Sequence, residues 1–220
     1  MNYRTKLYLG FISVSVASTA LAVGIGSAKT YDYLFGEEQS KAMTIAIMTA
    51  AQIDGDMLKQ IRAVDDEKTA GYLQIRDTLR RIRDMNRQEK TYISYLYTIY
   101  PDPQNPNEFL FGVDAEENKN YFSIAGTKDP GATKDLLAQH LDEPYSFNGL
   151  AKDPWGTWLT AYAPVHDSQG QYAGTVGVDI SLAFVQNYLN KLIWYWILSF
   201  VISIVFAWVV SAFLSKNLSK

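Results

Sequence analysis

The chain has no cysteine, and His140 and His166 are its only histidines. Without thiols it can form neither disulfides nor thiolate metal sites, and it has no cysteine nucleophile. It also lacks a G-x-S-x-G elbow, and two histidines leave few candidates for a base, so hydrolytic chemistry is not expected. Acid is missing from both ends: no Asp or Glu precedes Asp32 or follows Asp179. A basic balance is missing too. Residues 29–191 carry 16 Lys and Arg against 23 Asp and Glu, which argues against phosphate neutralisation and hence against a nucleic-acid partner.

What is present in quantity is apolar length. Leu7 to Ala28 and Leu192 to Ser215 carry no charge, and they run for 22 and 24 residues. At ~1.5 Å per residue each crosses a ~30 Å hydrocarbon core as a helix, the conformation that satisfies its own backbone in lipid. Arg4, Lys6, Lys216 and Lys220 flank the outer ends without nearby acid, which predicts that both termini are cytoplasmic and the middle is exported. Trp194, Tyr195 and Trp196 open the second run, where amphipathic rings favour the headgroup zone. Gly26-Ser27-Ala28 leaves a cleavable signal peptide open as the alternative for the first run, although that run is longer than the usual ~7–15 apolar residues and is rich in Gly, Ala and Ser suited to close helix contact. The expected organisation is a cytoplasmic N-terminus at 1–6, a span at 7–28, an exported domain at 29–191, a second span at 192–214 and the start of a linker at 215–220. An exported domain of this size without disulfides must rest on its hydrophobic core.

The exported segment opens as helix. Met43, Ile47, Ala51, Leu58 and Ile61 recur at helical spacings, and Asp54-Gly55-Asp56 predicts a kink or junction. A second amphipathic stretch sets Tyr72, Ile75, Leu79 and Ile82 on one stripe. Arg76, Arg80, Arg83 and Arg87 lie on another, read as a solvated face laced by Asp77 and Asp84. From Thr91 the chain turns β-branched and aromatic. Strands are expected at 91–100 and 108–114, forming an antiparallel hairpin, with a third at 121–124 and a short helix near Lys134 to His140. Two more, 157–166 and 172–181, form a hairpin in which Gly170 is free to take positive φ. Ser181 then precedes a helix that runs into the second apolar run without a Gly or Pro break.

Strand alternation puts Trp158, Thr160 and Tyr162 on one face, with Ala173, Thr175, Gly177 and Asp179 on one face of the next strand. The opposite faces are small and aliphatic and call for a helix. Under the polar 115–155 loop, the aromatic face with its one carboxylate would form a concave site, where Asp179 could receive an ammonium or hydroxyl. Asp179 as a backbone cap and Trp158 and Tyr162 as plain core residues remain the alternative. Asp114, Glu116, Asn118 and Asn120 have the i, i+2 spacing of a calcium loop. The required Gly is Lys119 and the closing Glu is Ala125, so no metal is expected there.

The succession of Ile53-Asp-Gly-Asp56, Tyr95-Leu-Tyr-Thr98, Phe111-Gly-Val-Asp114, Asp153-Pro-Trp-Gly-Thr-Trp-Leu-Thr-Ala-Tyr-Ala-Pro164 and Gly174-Thr-Val-Gly-Val-Asp-Ile180 resembles the Cache family of PAS-like extracytoplasmic sensors. The resemblance covers roughly residues 29 to 190. It implies an α+β fold with a five- to six-stranded antiparallel sheet, a long N-terminal helix and a pocket for small metabolites on the membrane-distal side. By that resemblance Asp179 stands where amino-acid-binding relatives hold the ligand amine, Tyr162 where they place an aromatic, and Trp155 and Trp158 where pocket walls fall. Tyr95, Tyr97, Asp114 and Tyr121 complete the expected ligand-binding set. Relatives that bind amino acids hold the carboxylate with an Arg, and none lies between Tyr92 and Asp179. Ser215-Lys-Asn-Leu-Ser-Lys220 resembles the opening of a HAMP linker. The resemblance thus implies the input portion of a bacterial transmembrane receptor, dimeric, in the inner membrane, binding an unidentified small molecule without a cofactor. A membrane-tethered module that binds another envelope protein is the alternative.

Overall fold

The computed structural model describes residues 3–88, 91–131, 141–146 and 149–217. The helix expected near 134–140 and the last residues of the linker, 218–220, lie outside the described residues. The chain divides into two compact units, residues 1–35 with 185–220 and residues 36–184.

The first unit is a pair of helices. Helix α1 spans Tyr3–Ala50 and α4 spans Leu182–Asn217; α1 continues into the second unit. Both are long and apolar enough to cross a membrane. Their outward side chains are apolar, among them Val14, Leu21, Ile25, Leu198 and Phe206, the reverse of a helix pair built for water. Between them three hydroxyls meet: Ser203 Oγ lies 2.8 Å from Ser15 Oγ and 3.0 Å from Thr19 Oγ1.

The second unit is α+β. After α1 come α2 (Gly55–Leu58), a 3-10 turn (Val64–Lys68) and α3 (Ala70–Met85). The break falls at the expected Asp-Gly-Asp, where Asp54 caps α2 by accepting from the Met57 N–H at 3.1 Å. Antiparallel strands follow: β1 Arg87–Gln88, β2 Thr91–Pro101, β3 Phe109–Asp114, β4 Tyr145–Ser146, β5 Ala151–Asp153, β6 Gly156–His166 and β7 Tyr172–Ser181. β2, β7 and β6 lie side by side. β1 and β3 pair with β2, and the short β4 and β5 pair with β6. The last hairpin matches its sequence pattern closely, and Gly170 in its turn has φ 75°, a value open to glycine and strained for other residues. One face of β6 and β7, with Leu159, Ala161, Val176, Val178 and Ile180, is fully buried, and α2 packs on it, with Leu58 3.0 Å from where a Cβ on Gly174 would stand.

The helical spacing of Met43 and Ile47 falls in α1 as expected, and the buried residues of α1 in this unit are Glu38, Ala42, Ala46, Thr49 and Ala50. Two expectations are corrected. Residues 121–124 form no strand. The chain turns there, with the Tyr121 N–H donating to the Asn118 carbonyl at 2.9 Å and the Ser123 N–H to Asp114 Oδ2 at 2.8 Å. The arginine stripe is not simply solvated. Arg83, 3 % exposed, donates to the Ala115 carbonyl at 2.5 Å; Arg80 donates to the Ala115 and Glu116 carbonyls, and Arg87 to those of Ile93 and Ser94. These carbonyls face a side-chain donor instead of a ladder partner, and buried carbonyls need one.

Candidate functional site

The register of the three long strands builds the site. Tyr95 and Thr160 both pair with Asp179, while Tyr97 and Tyr162 both pair with Gly177. Cross-strand partners share a face, so two tyrosines converge over a residue without a side chain. A Cβ at Gly177 would lie 2.6 Å from the Tyr97 ring, so glycine here lets the ring lie against the strand. β3 adds Phe111, whose ring meets Tyr97 edge-on at 5.6 Å, and Asp114, the partner of Tyr97 in the ladder.

Above this face lies a cleft of about 320 Å³. Its sheet side is Tyr95, Tyr97, Phe111, Asp114 and Asp179; its loop side is Tyr121, Ser123, Asp129, Asp153 and Trp155. Described residues on either side of residues 132–148, from Tyr121 to Asp129 and at Asp153 and Trp155, therefore close over the aromatic face. The fit is tight: the centre of a water molecule has only about 20 Å³ open to it, so a larger guest requires the loop side to move.

Six of the eight residues expected from sequence line the cleft: Tyr95, Tyr97, Asp114, Tyr121, Trp155 and Asp179. Trp158 and Tyr162 do not. Trp158 folds back over Gly156 and meets Tyr95 edge-on at 5.1 Å, its indole N–H buried without an acceptor among the described residues. Tyr162 is 5 % exposed within an aromatic cluster with Tyr97 and Phe111. Sequence reasoning missed Phe111, Ser123, Asp129 and Asp153. Phe109 and Phe111 alternate along β3, and that signal was available. Asp129-Pro-Gly131 and Asp153-Pro-Trp-Gly156 are turn sequences, in which each carboxylate accepts from following N–H groups at 2.8 Å.

Among the described residues the electrostatics are one-sided. Asp179, 4 % exposed, accepts from the Thr160 hydroxyl at 2.7 Å. Burial first, then repulsion from Asp129 and Asp153, push its carboxyl up to about 8 against the help of Thr160 and Tyr97. Asp114 accepts from the Glu116 and Ser123 N–H groups, yet burial raises it to about 6. Burial and the nearby carboxylates push the Tyr97 hydroxyl well above its ordinary range. Three of the four residues considered for a calcium loop bind backbone through their side chains: Asp114 as above, Glu116 Oε1 accepting from the Glu117 and Asn118 N–H groups, and Asn118 Oδ1 from the Asn120 N–H.

These features define an α+β module with a narrow, acidic and aromatic cleft, in a chain that also carries two long apolar helices. No known family's sequence profile matches the chain, and no curated protein matches it. Among solved structures it is similar to the sensory domain of the Campylobacter jejuni chemoreceptor Tlp3 with isoleucine bound, at TM-score 0.48 and 12 % identity. It is also similar to the ligand-binding domain of that chemoreceptor in complex with L-valine, at TM-score 0.46 and 12 % identity. Each match covers 86 % of this chain and 66 % of the other, so this chain spans about two thirds of those structures' length.

Proposed function

We propose that the chain is the ligand-sensing input of a transmembrane receptor, capturing a small molecule outside the cytoplasm and passing a conformational change through α4. The observation that carries this is one continuous piece of chain. Asp179, buried in the cleft wall, lies on β7 two residues before Ser181, and α4 starts at the next residue and runs on as an unbroken helix through Asn217. A guest that prefers one position of β7 therefore acts directly on the helix proposed to cross the membrane, and differential affinity for two states is what a signal requires.

On this proposal residues 29–191 are exported, 7–28 and 192–214 span the inner membrane, and both termini are cytoplasmic, with 215–220 opening a HAMP-like linker towards an output module. The receptor works as a homodimer. Gly10, Gly24 and Gly26 of α1 have nothing within 4 Å of where a Cβ would stand, which leaves room for a second helix to approach.

The test is thermal unfolding of the full chain in detergent against a panel of amino acids, organic acids and amines. A true ligand at a hundredfold excess over its Kd stabilises by about 2.7 kcal/mol, on the order of 5–10 °C for a domain of this size. The shift should be absent in Asp179→Ala. No shift with any compound would refute the proposal.

A further inference from the structure

Resting on the receptor reading above, we infer that α2 clamps the turn between β6 and β7, so that both apolar helices are attached to one strand: α4 at the end of β7, and α1, through α2, at its beginning. The turn needs no clamp for its own shape. The Asp167 N–H donates to the Gln171 carbonyl at 2.8 Å and the Gly170 N–H to the Asp167 carbonyl at 3.0 Å. Asp167 Oδ1 also accepts from the Gln169 and Gln171 N–H groups at 2.9 and 2.8 Å. These bonds close the hairpin from within.

Gly55, Asp56, Leu58 and Lys59 hold the hairpin from outside. A Cβ on Gly55 would stand 2.3 Å from the His166 carbonyl oxygen and 2.8 Å from the Asp167 Cα, so backbone lies against backbone there. Asp56 Oδ2 accepts from the Ser168 N–H at 3.3 Å, and Lys59 forms an ion pair with Asp167 Oδ2. Leu58, 1 % exposed, packs against Gly112 and Gly174. An ion pair alone contributes little; here it closes a contact that glycine and leucine already make.

The connection from α1 to α2 is short and hydrogen-bonded. It consists of residues 51–54, in which the Ala51, Gln52 and Ile53 N–H groups donate back to the Ile47, Thr49 and Ala50 carbonyls at 3.1, 2.9 and 3.2 Å, and Asp54 caps α2. A displacement of α2 is therefore passed to the end of α1 instead of being taken up by slack chain. From the clamp to α4, β7 is 10 residues of extended chain, roughly 30 Å, which cannot lengthen further. With its beginning held by α2, a shift of β7 at Asp179 moves α4 against α1. The clamp is the fixed end that turns movement of a strand into a difference between two helices.

The experiment uses the full chain in detergent and the absence of native cysteine. Ser15→Cys with Ser203→Cys makes a pair in register, since the two Oγ atoms lie 2.8 Å apart. Ser15→Cys with Ser199→Cys, or with Ala207→Cys, makes pairs displaced by one helical turn. Rates of disulfide formation with a mild oxidant are compared in three backgrounds. Lys59→Met with Asp56→Ala removes both polar ties and keeps every hairpin residue; Gly55→Ala pushes α2 off the turn; Arg83→Met loosens the same unit away from the clamp. Relative to the pair in register, the displaced pairs should form faster by roughly threefold or more in the two clamp backgrounds, and as in the wild type in Arg83→Met. An unchanged ratio in Lys59→Met with Asp56→Ala, shown by tryptophan fluorescence to be folded, would overturn the inference, and so would an equal rise in Arg83→Met. Should Gly55→Ala not fold, the double variant decides alone. No ligand enters the measurement, so its failure leaves the ligand-site reading standing. A changed ratio with no thermal shift in the panel above would sink that reading and keep the clamp.

Discussion

Asp179→Asn should make the chain more stable at neutral pH and remove most of its pH dependence above pH 6.5. The carboxyl is 4 % exposed and held at about 8 in the fold, against 3.8 when free. A raised carboxyl pKa means that the native state keeps a proton the unfolded state has lost, so stability is full below about pH 4 and falls as pH rises towards 8. The slope is about 1.4 kcal/mol per pH unit, which by pH 7 amounts to roughly 4 kcal/mol. Asparagine has no such term. Its amide must still find partners in the place of a carboxyl that accepted from Thr160, a cost of about 1–3 kcal/mol. The net expectation is a gain of about 1–3 kcal/mol at pH 7 that shrinks to nothing or reverses near pH 4. Asp114, held at about 6, contributes a slope of the same sign only up to that pH, so the window from 6.5 to 8 isolates Asp179. Tryptophan fluorescence of the full chain in detergent, followed through urea unfolding at several pH values, measures it. Equal slopes for the two proteins in that window, or a wild type more stable at pH 8 than at pH 6.5, would refute the reasoning.

Gly177→Ala should cost about 1–3 kcal/mol, because its methyl would stand 2.6 Å from the Tyr97 ring in a packed aromatic cluster; urea midpoints read it. Arg83→Met removes the donor to the Ala115 carbonyl and should cost about 1–3 kcal/mol, with faster hydrogen exchange across residues 115–123, the stretch that carries Tyr121 and Ser123 into the cleft. Ser203→Val deletes the hydroxyl shared with Ser15 and Thr19. It should weaken the pairing of the two apolar helices by about 0.6–1.7 kcal/mol, measurable by steric-trap or detergent-titration unfolding.

What sequence could reach was whatever repeats along a strand or follows from a turn. Alternation placed Thr160 and Asp179 on one face, and they meet at 2.7 Å; the Asp167 to Gln171 turn fixed the register of β6 against β7. Residues in irregular chain carry no period. Asp129 and Asp153 each accept from local N–H groups, as turn aspartates do, and only the closure of the loop over the sheet turns them towards Asp179. The arginine stripe misled for a related reason. Its spacing is that of a solvated helix face, and nothing local says that the carbonyls of Ala115 and Ile93 will need donors. Tyr162 and Trp158 fall on the expected face but are buried without lining the cleft, a distinction that alternation cannot express.

The absence of native cysteine permits a direct measurement of the cleft. Ser123 lines it and is 9 % exposed, so Ser123→Cys places a single thiol against the carboxylates. Its modification rates by a cationic and an anionic methanethiosulfonate of similar size share the same thiolate fraction, so their ratio reports the charge that the cleft presents. The cationic reagent should react faster by an order of magnitude or more. Equal rates, or faster reaction with the anionic reagent, would contradict the acidic cleft that the described residues form.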